Sequence, residues 1–145
     1  MTLIRLFFAL VLLSVAGGAF AQSAPRVEVY KNAACSCCGG WVAHLRDNGF
    51  AVSTHDVGDV PAKRKKLGMP EDLGSCHTAT VDGYLIEGHV PAADIKRLLT
   101  EKPKALGLAV PAMPAGSPGM ESSSPVPYDT LLVDPKGSTS VYASH

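Results

Sequence analysis

Three of the four cysteines of this 145-residue chain lie within four consecutive positions, Cys35-Ser36-Cys37-Cys38. The fourth, Cys76, lies in a second segment that reads Leu-Gly-Ser-Cys-His-Thr. Thiols spaced as Cys-x-x-Cys can exchange disulfides, and thiolates are also good ligands for soft metal ions. The residue types therefore indicate either thiol redox chemistry or metal binding.

Cys37 helps to distinguish these two uses. A third thiol beside a Cys35–Cys38 pair can attack the mixed disulfide during exchange, whereas for a metal it is a third soft ligand. Gly39 and Gly40 follow at once, although each glycine costs about 1 kcal/mol inside a helix. They indicate either the close approach of a partner or a neighbouring loop, or ordinary packing of the helix on a strand.

The residues around these cysteines predict a strand followed directly by a helix. Residues 26–30 alternate and contain β-branched side chains, which is typical of a strand. The helix is predicted to begin at Cys37 or Cys38 and to end at Gly49. A thiol at the start of a helix gains thiolate character from the helix dipole and the free backbone N–H groups.

The next elements predict a thioredoxin-like α/β fold, with a mixed sheet flanked by helices. Residues 50–57 predict a second strand, Asp59 caps a short helix, Asp82-Gly83 is the turn of a β-hairpin, and Pro91 opens another helix. A strand–helix–strand start implies a parallel pair of strands with a right-handed crossover. The Cys-x-x-Cys pair is then expected at the first strand–helix junction.

Cys76 occupies a significant position in this layout. The loop before the third strand of a thioredoxin-like domain faces the Cys-x-x-Cys and usually carries a cis-proline, whereas here it carries Cys76. Four sulfurs around one pocket favour a metal over disulfide exchange. Structural zinc sites prefer paired Cys-x-x-Cys knuckles and iron–sulfur clusters need other spacings, so the sequence favours copper, as Cu(I).

Additional ligands are predicted nearby. The segment after Lys104 is rich in Pro, Gly and Ser, so we expect no helix or ordinary strand there, but a loop held by a C-terminal β-hairpin. Met113 and Met120 in this loop are candidate thioether ligands, or else they fill gaps in the packing. His77 and His89 are candidates to bind or orient the metal, or else they are structural. His44 and His55 are expected at the surface.

The N-terminus predicts export. Arg5, the apolar run of residues 6–15 and the Ala19–Ala21 cleavage site indicate a signal peptide over residues 1–21, with an uncleaved membrane anchor as the alternative. Residues 22–145 would then form a single metal-binding domain in the periplasm. Without Arg5, twelve basic side chains stand against thirteen acidic ones, so the sequence predicts neither nucleic acid nor, after cleavage, a membrane as partner.

Three segments resemble one known family. They read YKNAACSCCGGWVAHLRDNGF, LGSCHTATVDGYLIEGHVPAADIKRLL and GLAVPAMPAGSPGME, and the likeness runs from Val27 to Tyr142. They are similar to the CopG-like family of periplasmic proteins, long catalogued as a domain of unknown function. The resemblance implies a thioredoxin-like fold, copper bound through Cys35, Cys37, Cys38 and Cys76, and a role in copper resistance. It further implies redox handling of copper, as in an oxidoreductase that interconverts Cu(I) and Cu(II), with other periplasmic copper-handling or redox proteins as partners.

Two alternative functions are compatible with the same cysteines. In a thiol–disulfide oxidoreductase acting on exported proteins, Cys35 would attack and Cys38 would resolve the mixed disulfide. In a non-catalytic domain, Cys35–Cys38 and Cys37–Cys76 are the only pair of disulfides free of a strained or very tight ring.

Overall fold

The computed structural model describes residues 23–145 of the chain. The predicted signal peptide, residues 1–21, lies outside these residues. Within the described part, no helix combines the length and the apolar character needed to cross a membrane.

Within residues 23–145, seven strands and three α-helices follow one another, and over the first two thirds of the chain their order is the one that the hydrophobic patterns predict. Helix α1 begins one or two residues earlier than predicted, because Cys35 itself is the N-cap. Asp59 caps α2, and Asp82 and Gly83, both at positive φ, form the hairpin turn. The elements are β1 (Arg26–Lys31), α1 (Ser36–Asp47), β2 (Ala51–Asp56), α2 (Val60–Leu67), β3 (His77–Val81), β4 (Tyr84–Gly88), α3 (Ala92–Glu101), β5 (Gly107–Val110), β6 (Asp129–Val133) and β7 (Thr139–Ser144).

The strands form one mixed, open sheet in the order β2-β1-β3-β4-β5-β6-β7. The β1–β2 pair is parallel, as predicted, and β3 and β4 follow as an antiparallel hairpin. This architecture confirms the predicted α/β class with a mixed sheet flanked by helices, and it is consistent with a thioredoxin-like fold. The C-terminal hairpin of β6 and β7 is also present.

Strand β5 corrects the sequence prediction. Residues 107–110 were expected to belong to an irregular loop, but they pair in parallel with β4 and in antiparallel fashion with β6. All four residues are buried, so the strand lacks the alternation that marks a half-buried strand. The loop therefore starts only after Val110. Because β5 is paired on both sides within the sheet, the start of the loop has a fixed position.

The core lies on both faces of the sheet. Ile86 belongs to the larger cluster, in which Trp41 and Leu45 of α1 pack with Ile95 of α3. Its neighbour Leu85 points to the opposite face and joins a smaller cluster. Helix α1 is thus held by buried side chains directly beyond its cysteine-bearing first turn.

Candidate metal centre

The first turn of α1 presents three of the sulfurs. The Sγ atom of Cys35 accepts a hydrogen bond from the Cys38 backbone N–H at 3.3 Å, in the way a helix-capping side chain does. Cys38 is fully buried, whereas Cys35 and Cys37 are half-buried. The sequence folds in this way because β1 ends just before the loop and Trp41 anchors the next turn, where its indole N–H donates to the Val90 carbonyl at 2.8 Å.

Cys35 and Cys38 are joined by a disulfide. Cys37 and Cys76 are the two free cysteines of the described residues. The disulfide is the bond that both alternative functions predict for the Cys-x-x-Cys pair. The second bond of the structural-disulfide alternative is not formed, although the Cys37 and Cys76 sulfurs are 3.7 Å apart.

Cys76 lies against the sulfurs of the first helical turn. Its Sγ atom is 3.4 Å from that of Cys38, and the Cys35 and Cys37 sulfurs are 3.5 Å apart. All four sulfurs lie within 4.8 Å of one another. We call this group of four cysteines the sulfur site. The facing position of the thioredoxin-like layout thus brings the fourth sulfur to the other three.

A buried ion pair holds the loop that carries Cys76. Arg64 of α2 donates from Nε to Oε1 of Glu87 at 2.7 Å, and both side chains are almost fully buried. The same Glu87 oxygen accepts the Ser75 N–H at 2.8 Å, and Arg64 Nη2 donates to the Ser75 carbonyl at 2.5 Å. Burial raises the pKa of Glu87, while the Ser75 N–H and Arg64 act in the opposite direction. Both backbone groups of the residue before Cys76 are therefore fixed.

Two buried imidazoles contact the sulfur of Cys76. His89 Nε2 lies 3.0 Å from the Cys76 Sγ atom, and His77 Nδ1 lies 3.3 Å from it. Donor atoms of these three residues all lie within 4.8 Å of one another. His77 also packs against the Trp41 ring, with 4.3 Å between ring centroids and an interplanar angle of 35°.

Burial dominates the electrostatics of this region. Burial, and next the neighbouring Cys37 thiol, raise the pKa of Cys76 to about 12. Burial, followed by the nearby His89, lowers the pKa of His77 to about 3, and burial also lowers the pKa of His89. Without a metal, the site therefore favours a protonated Cys76 thiol and neutral imidazoles. A bound cation would replace the thiol proton, because thiolates are the form that binds metals.

The segment of residues 111–120, which we call the methionine loop, packs on the first turn of α1. Gly119, at a φ of +83°, lies so close to α1 that a Cβ atom there would be 2.5 Å from the backbone nitrogen of Trp41 and 2.7 Å from the backbone oxygen of Cys37. A Cβ atom on Gly40 would be 3.0 Å from the Gly119 Cα, whereas one on Gly39 would meet nothing within 4 Å. Gly40 therefore allows the approach of a neighbouring loop, and Gly39 does not have this role.

The methionine loop is also bound to the Cys76 and His89 segments. The Ala112 N–H donates to the Gly74 carbonyl at 3.2 Å, and the Ser75 hydroxyl donates to the Ala112 carbonyl. His89 Nδ1 donates to the Pro118 carbonyl at 2.8 Å. The loop thus lies over the sulfur site as part of its wall.

The other predicted candidates have different surroundings. Met113 is exposed and Met120 is half-buried in the methionine loop, and their binding of a metal stays a prediction. His55 is exposed and pairs with Glu28, as expected of a surface residue. His44 corrects the prediction, because it is half-buried and its Nε2 accepts the Ala92 N–H at 3.1 Å.

Comparisons with known proteins find one matching family model and two similar solved structures. The family model described as "Protein of unknown function, DUF411" matches residues 73–120. A solved structure of copper resistance protein CopG, its form 2, is 43% identical and matches 84% of this chain and 98% of its own, with a TM-score of 0.80. Form 1 is 44% identical and matches 83% of this chain and 96% of its own, with a TM-score of 0.78. Comparison with curated proteins finds no significant match.

Proposed function

This chain belongs to the family of copper resistance protein CopG, and we propose that it binds Cu(I) in the periplasm through Cys35, Cys37, Cys38 and Cys76. A copper-related function follows from the family. The periplasmic location rests on the predicted signal peptide of residues 1–21, after which residues 22–145 act as one metal-binding domain. Copper ions are the cargo, and the role is resistance to their excess.

The observation that carries the proposal is the mutual approach of four sulfurs to within 4.8 Å. Thiolates are soft ligands and suit Cu(I). Because one sulfur can bridge two ions, four sulfurs in one pocket can hold a multinuclear Cu(I) cluster. His77, Met113 and Met120 are further candidate ligands around it.

Loading all four sulfurs requires reduction of the Cys35–Cys38 disulfide. A dithiol reductant would supply two electrons and two protons, and would itself leave as a disulfide. We therefore infer a periplasmic dithiol protein as a partner. This requirement links the capacity for copper to the thiol redox state.

We further propose redox handling of copper at the same pocket. Two Cu(II) ions can each take one electron from the reduced Cys35 and Cys38 thiols, which yields two Cu(I) ions, one disulfide and two protons. The expected stoichiometry is two Cu(I) formed per Cys35–Cys38 disulfide, measured with a Cu(I)-specific chromophore and a count of free thiols. A ratio far from two would contradict this step.

Titration of the reduced protein with Cu(I) tests the binding proposal. We expect an ultraviolet thiolate-to-Cu(I) charge-transfer band that saturates at more than one ion per chain. The Cys35→Ser, Cys38→Ser double variant should bind fewer ions with lower affinity. If Cu(I) binds the wild type no better than this variant, the proposal is wrong.

A thiol–disulfide oxidoreductase is the second candidate, favoured by the Cys35–Cys38 disulfide at the N-cap of α1. Such an enzyme should reduce insulin with turnover in the presence of a dithiol. The presence of Cys76 where a substrate-docking proline is usual argues against it. We therefore expect no insulin reduction above that of the Cys35→Ser variant.

A further inference from the structure

The Cys35–Cys38 disulfide affects only one of the two groups of potential metal ligands that contain Cys76. With Cys35 and Cys38 bonded to each other, the sulfur site retains only two of its four thiols. The group of Cys76, His77 and His89 has no atom in the disulfide, and its donor atoms lie within 4.8 Å of one another. A complete set of three ligands therefore remains in the oxidised protein.

The spacing within this second group suits a single metal ion. With metal–sulfur bonds of about 2.3 Å and metal–nitrogen bonds of about 2.0 Å, neighbouring ligands of one ion are about 3.5–3.7 Å apart. The Cys76 sulfur is 3.0 Å from His89 Nε2 and 3.3 Å from His77 Nδ1. The two sulfur–nitrogen pairs would have to move apart by about 0.2–0.7 Å.

His89 is oriented as a ligand. Because its Nδ1 donates to the Pro118 carbonyl, the neutral ring carries its lone pair on Nε2, which is the nitrogen that faces Cys76. A backbone carbonyl behind the ring is the common second contact of a metal-binding histidine.

His77 is buried without full use of its polar atoms. It is fully buried, and its Nε2 has no hydrogen-bond partner among the described residues. Its other ring nitrogen, Nδ1, lies 3.3 Å from the Cys76 sulfur. A neutral ring that carries its proton on Nε2 leaves the lone pair of Nδ1 free to bind a metal there.

The donor set indicates the oxidation state of the metal. The sulfur site is all thiolate and suits Cu(I), whereas imidazole nitrogens are good ligands for Cu(II). Two histidines and one cysteine are the trigonal ligand set of copper sites that hold Cu(II). Cys76 is common to both sets, so an ion here would lie directly beside the sulfur site.

We propose that Cys76, His77 and His89 form a second copper site, which takes Cu(II) while the Cys35–Cys38 disulfide is closed. The proposal rests on the copper-binding function proposed above and adds a mixed nitrogen–sulfur site to it. Reduction of the disulfide then completes the sulfur site for Cu(I), and oxidation leaves the mixed site as the complete one.

The test uses the full chain with Cys37→Ser and the disulfide closed, so that Cys76 is the single free thiol. Cu(II) is added under argon, and mass spectrometry verifies that Cys76 is still reduced. We expect one Cu(II) per chain, a visible thiolate-to-Cu(II) charge-transfer band, and modulation from imidazole nitrogens in pulsed electron paramagnetic resonance. The modulation is read with both histidines intact, so it does not depend on the folding of a histidine variant.

Variants then assign the ligands. In the same background, Cys76→Ser should abolish the charge-transfer band, and His77→Gln or His89→Gln should weaken Cu(II) binding by at least about 10-fold. The exposed His55→Gln is the matched control and should change neither signal.

Two results would overturn the inference: Cu(II) without imidazole modulation, or a charge-transfer band that Cys76→Ser leaves intact. Either result leaves the proposed function standing, because that function is decided by Cu(I) binding to the reduced wild type and not by Cu(II) binding to the disulfide form.

Discussion

Two histidine-containing clusters in this molecule differ in the group that the imidazole contacts, a thiol in one and a carboxylate in the other. At the sulfur site, His89 Nε2 faces the Cys76 thiol at 3.0 Å. In the cluster that we call the carboxylate site (Asp94, Thr130 and His145), His145 Nε2 lies 2.9 Å from Asp94 Oδ2, which also accepts the Thr130 hydroxyl at 2.6 Å.

The difference shows how surroundings decide the use of a histidine. In the carboxylate site, the polar atoms satisfy one another, and they join α3 to the C-terminal hairpin. Near Cys76, one ring nitrogen of His77 stays without a partner in the described structure and the sulfur of Cys76 is a weak acceptor. The first arrangement pairs its polar atoms with one another, whereas the second presents sulfur and imidazole nitrogen atoms that could bind a metal. The following changes test this contrast, beginning with the largest expected effect.

Removal of the Cys76 sulfur should distinguish the sulfur site from the carboxylate site most clearly. We expect Cys76→Ser to lower the affinity of the reduced protein for Cu(I) by at least about 10- to 100-fold, because it removes a ligand rather than a supporting group. Competition with a Cu(I) chelator of known affinity measures the change. Asp94→Asn is the matched control, and its Cu(I) affinity should equal that of the wild type. A loss of affinity in Asp94→Asn would erase the distinction.

The buried carboxylates of the two regions should differ in their contribution to stability. Glu87→Gln leaves the Arg64 charge unpaired in the interior and should lower the free energy of unfolding by about 3–5 kcal/mol. Asp94→Asn should cost less, because the His145 side chain is 28% exposed and water can solvate it. Urea unfolding of the metal-free protein measures both. Equal losses of unfolding free energy in the two variants would mean that burial of the paired side chain, Arg64 or His145, does not control the loss.

Two glycines beside the sulfur site, Gly119 of the methionine loop and Gly39 of α1, differ in what an added Cβ atom would meet. Gly119→Ala places a Cβ against backbone atoms at positive φ, and we expect a loss of about 1–3 kcal/mol. Gly39→Ala enters open space within α1 and should stabilise the protein by up to about 1 kcal/mol. Thermal unfolding of the two variants measures both changes in stability. A neutral Gly119→Ala would show that the methionine loop does not pack tightly on α1.

The buried imidazole of His77 should make stability depend on pH. Burial lowers the pKa of His77 to about 3, below the value of about 6.5 expected in the unfolded chain. Between these values the unfolded chain binds a proton that the folded protein does not, so acidification destabilises the fold, by about 1.4 kcal/mol per pH unit. Urea unfolding at several pH values, with metals chelated, should give a shallower dependence for His77→Gln than for the wild type. Identical slopes would contradict this assignment.

The sequence predicts the part of the fold that local patterns determine. The strand–helix junction, the cap at Asp59 and the turn at Asp82-Gly83 each depend on neighbouring residues, and the structure has all three. Strand β5 depends on pairing with β4, about 20 residues away, and its four apolar residues next to a proline-rich segment give no periodic signal. A four-residue apolar run followed by Pro111 was the available indication.

The candidate site shows the same limit. The position of Cys76 opposite the helix start follows from the thioredoxin-like layout, so the sulfur cluster could be expected from spacing. His89 was a candidate from the sequence, but the orientation of its ring could not be predicted, because it depends on the Pro118 carbonyl of a loop whose course no periodicity fixes. The candidacy of His89 agrees with its place directly after β4, whose pairing partner β3 begins beside Cys76.

The hydrogen bond from His89 to Pro118 has a consequence for how the molecule responds to its cargo. A ring held at Nδ1 by the methionine loop has little freedom left to lose when Nε2 binds an ion, so an ordered loop favours occupancy. By thermodynamic reciprocity, occupancy must favour the ordered loop by the same free energy. The degree of order of residues 111–120 would then differ between the filled and the empty site.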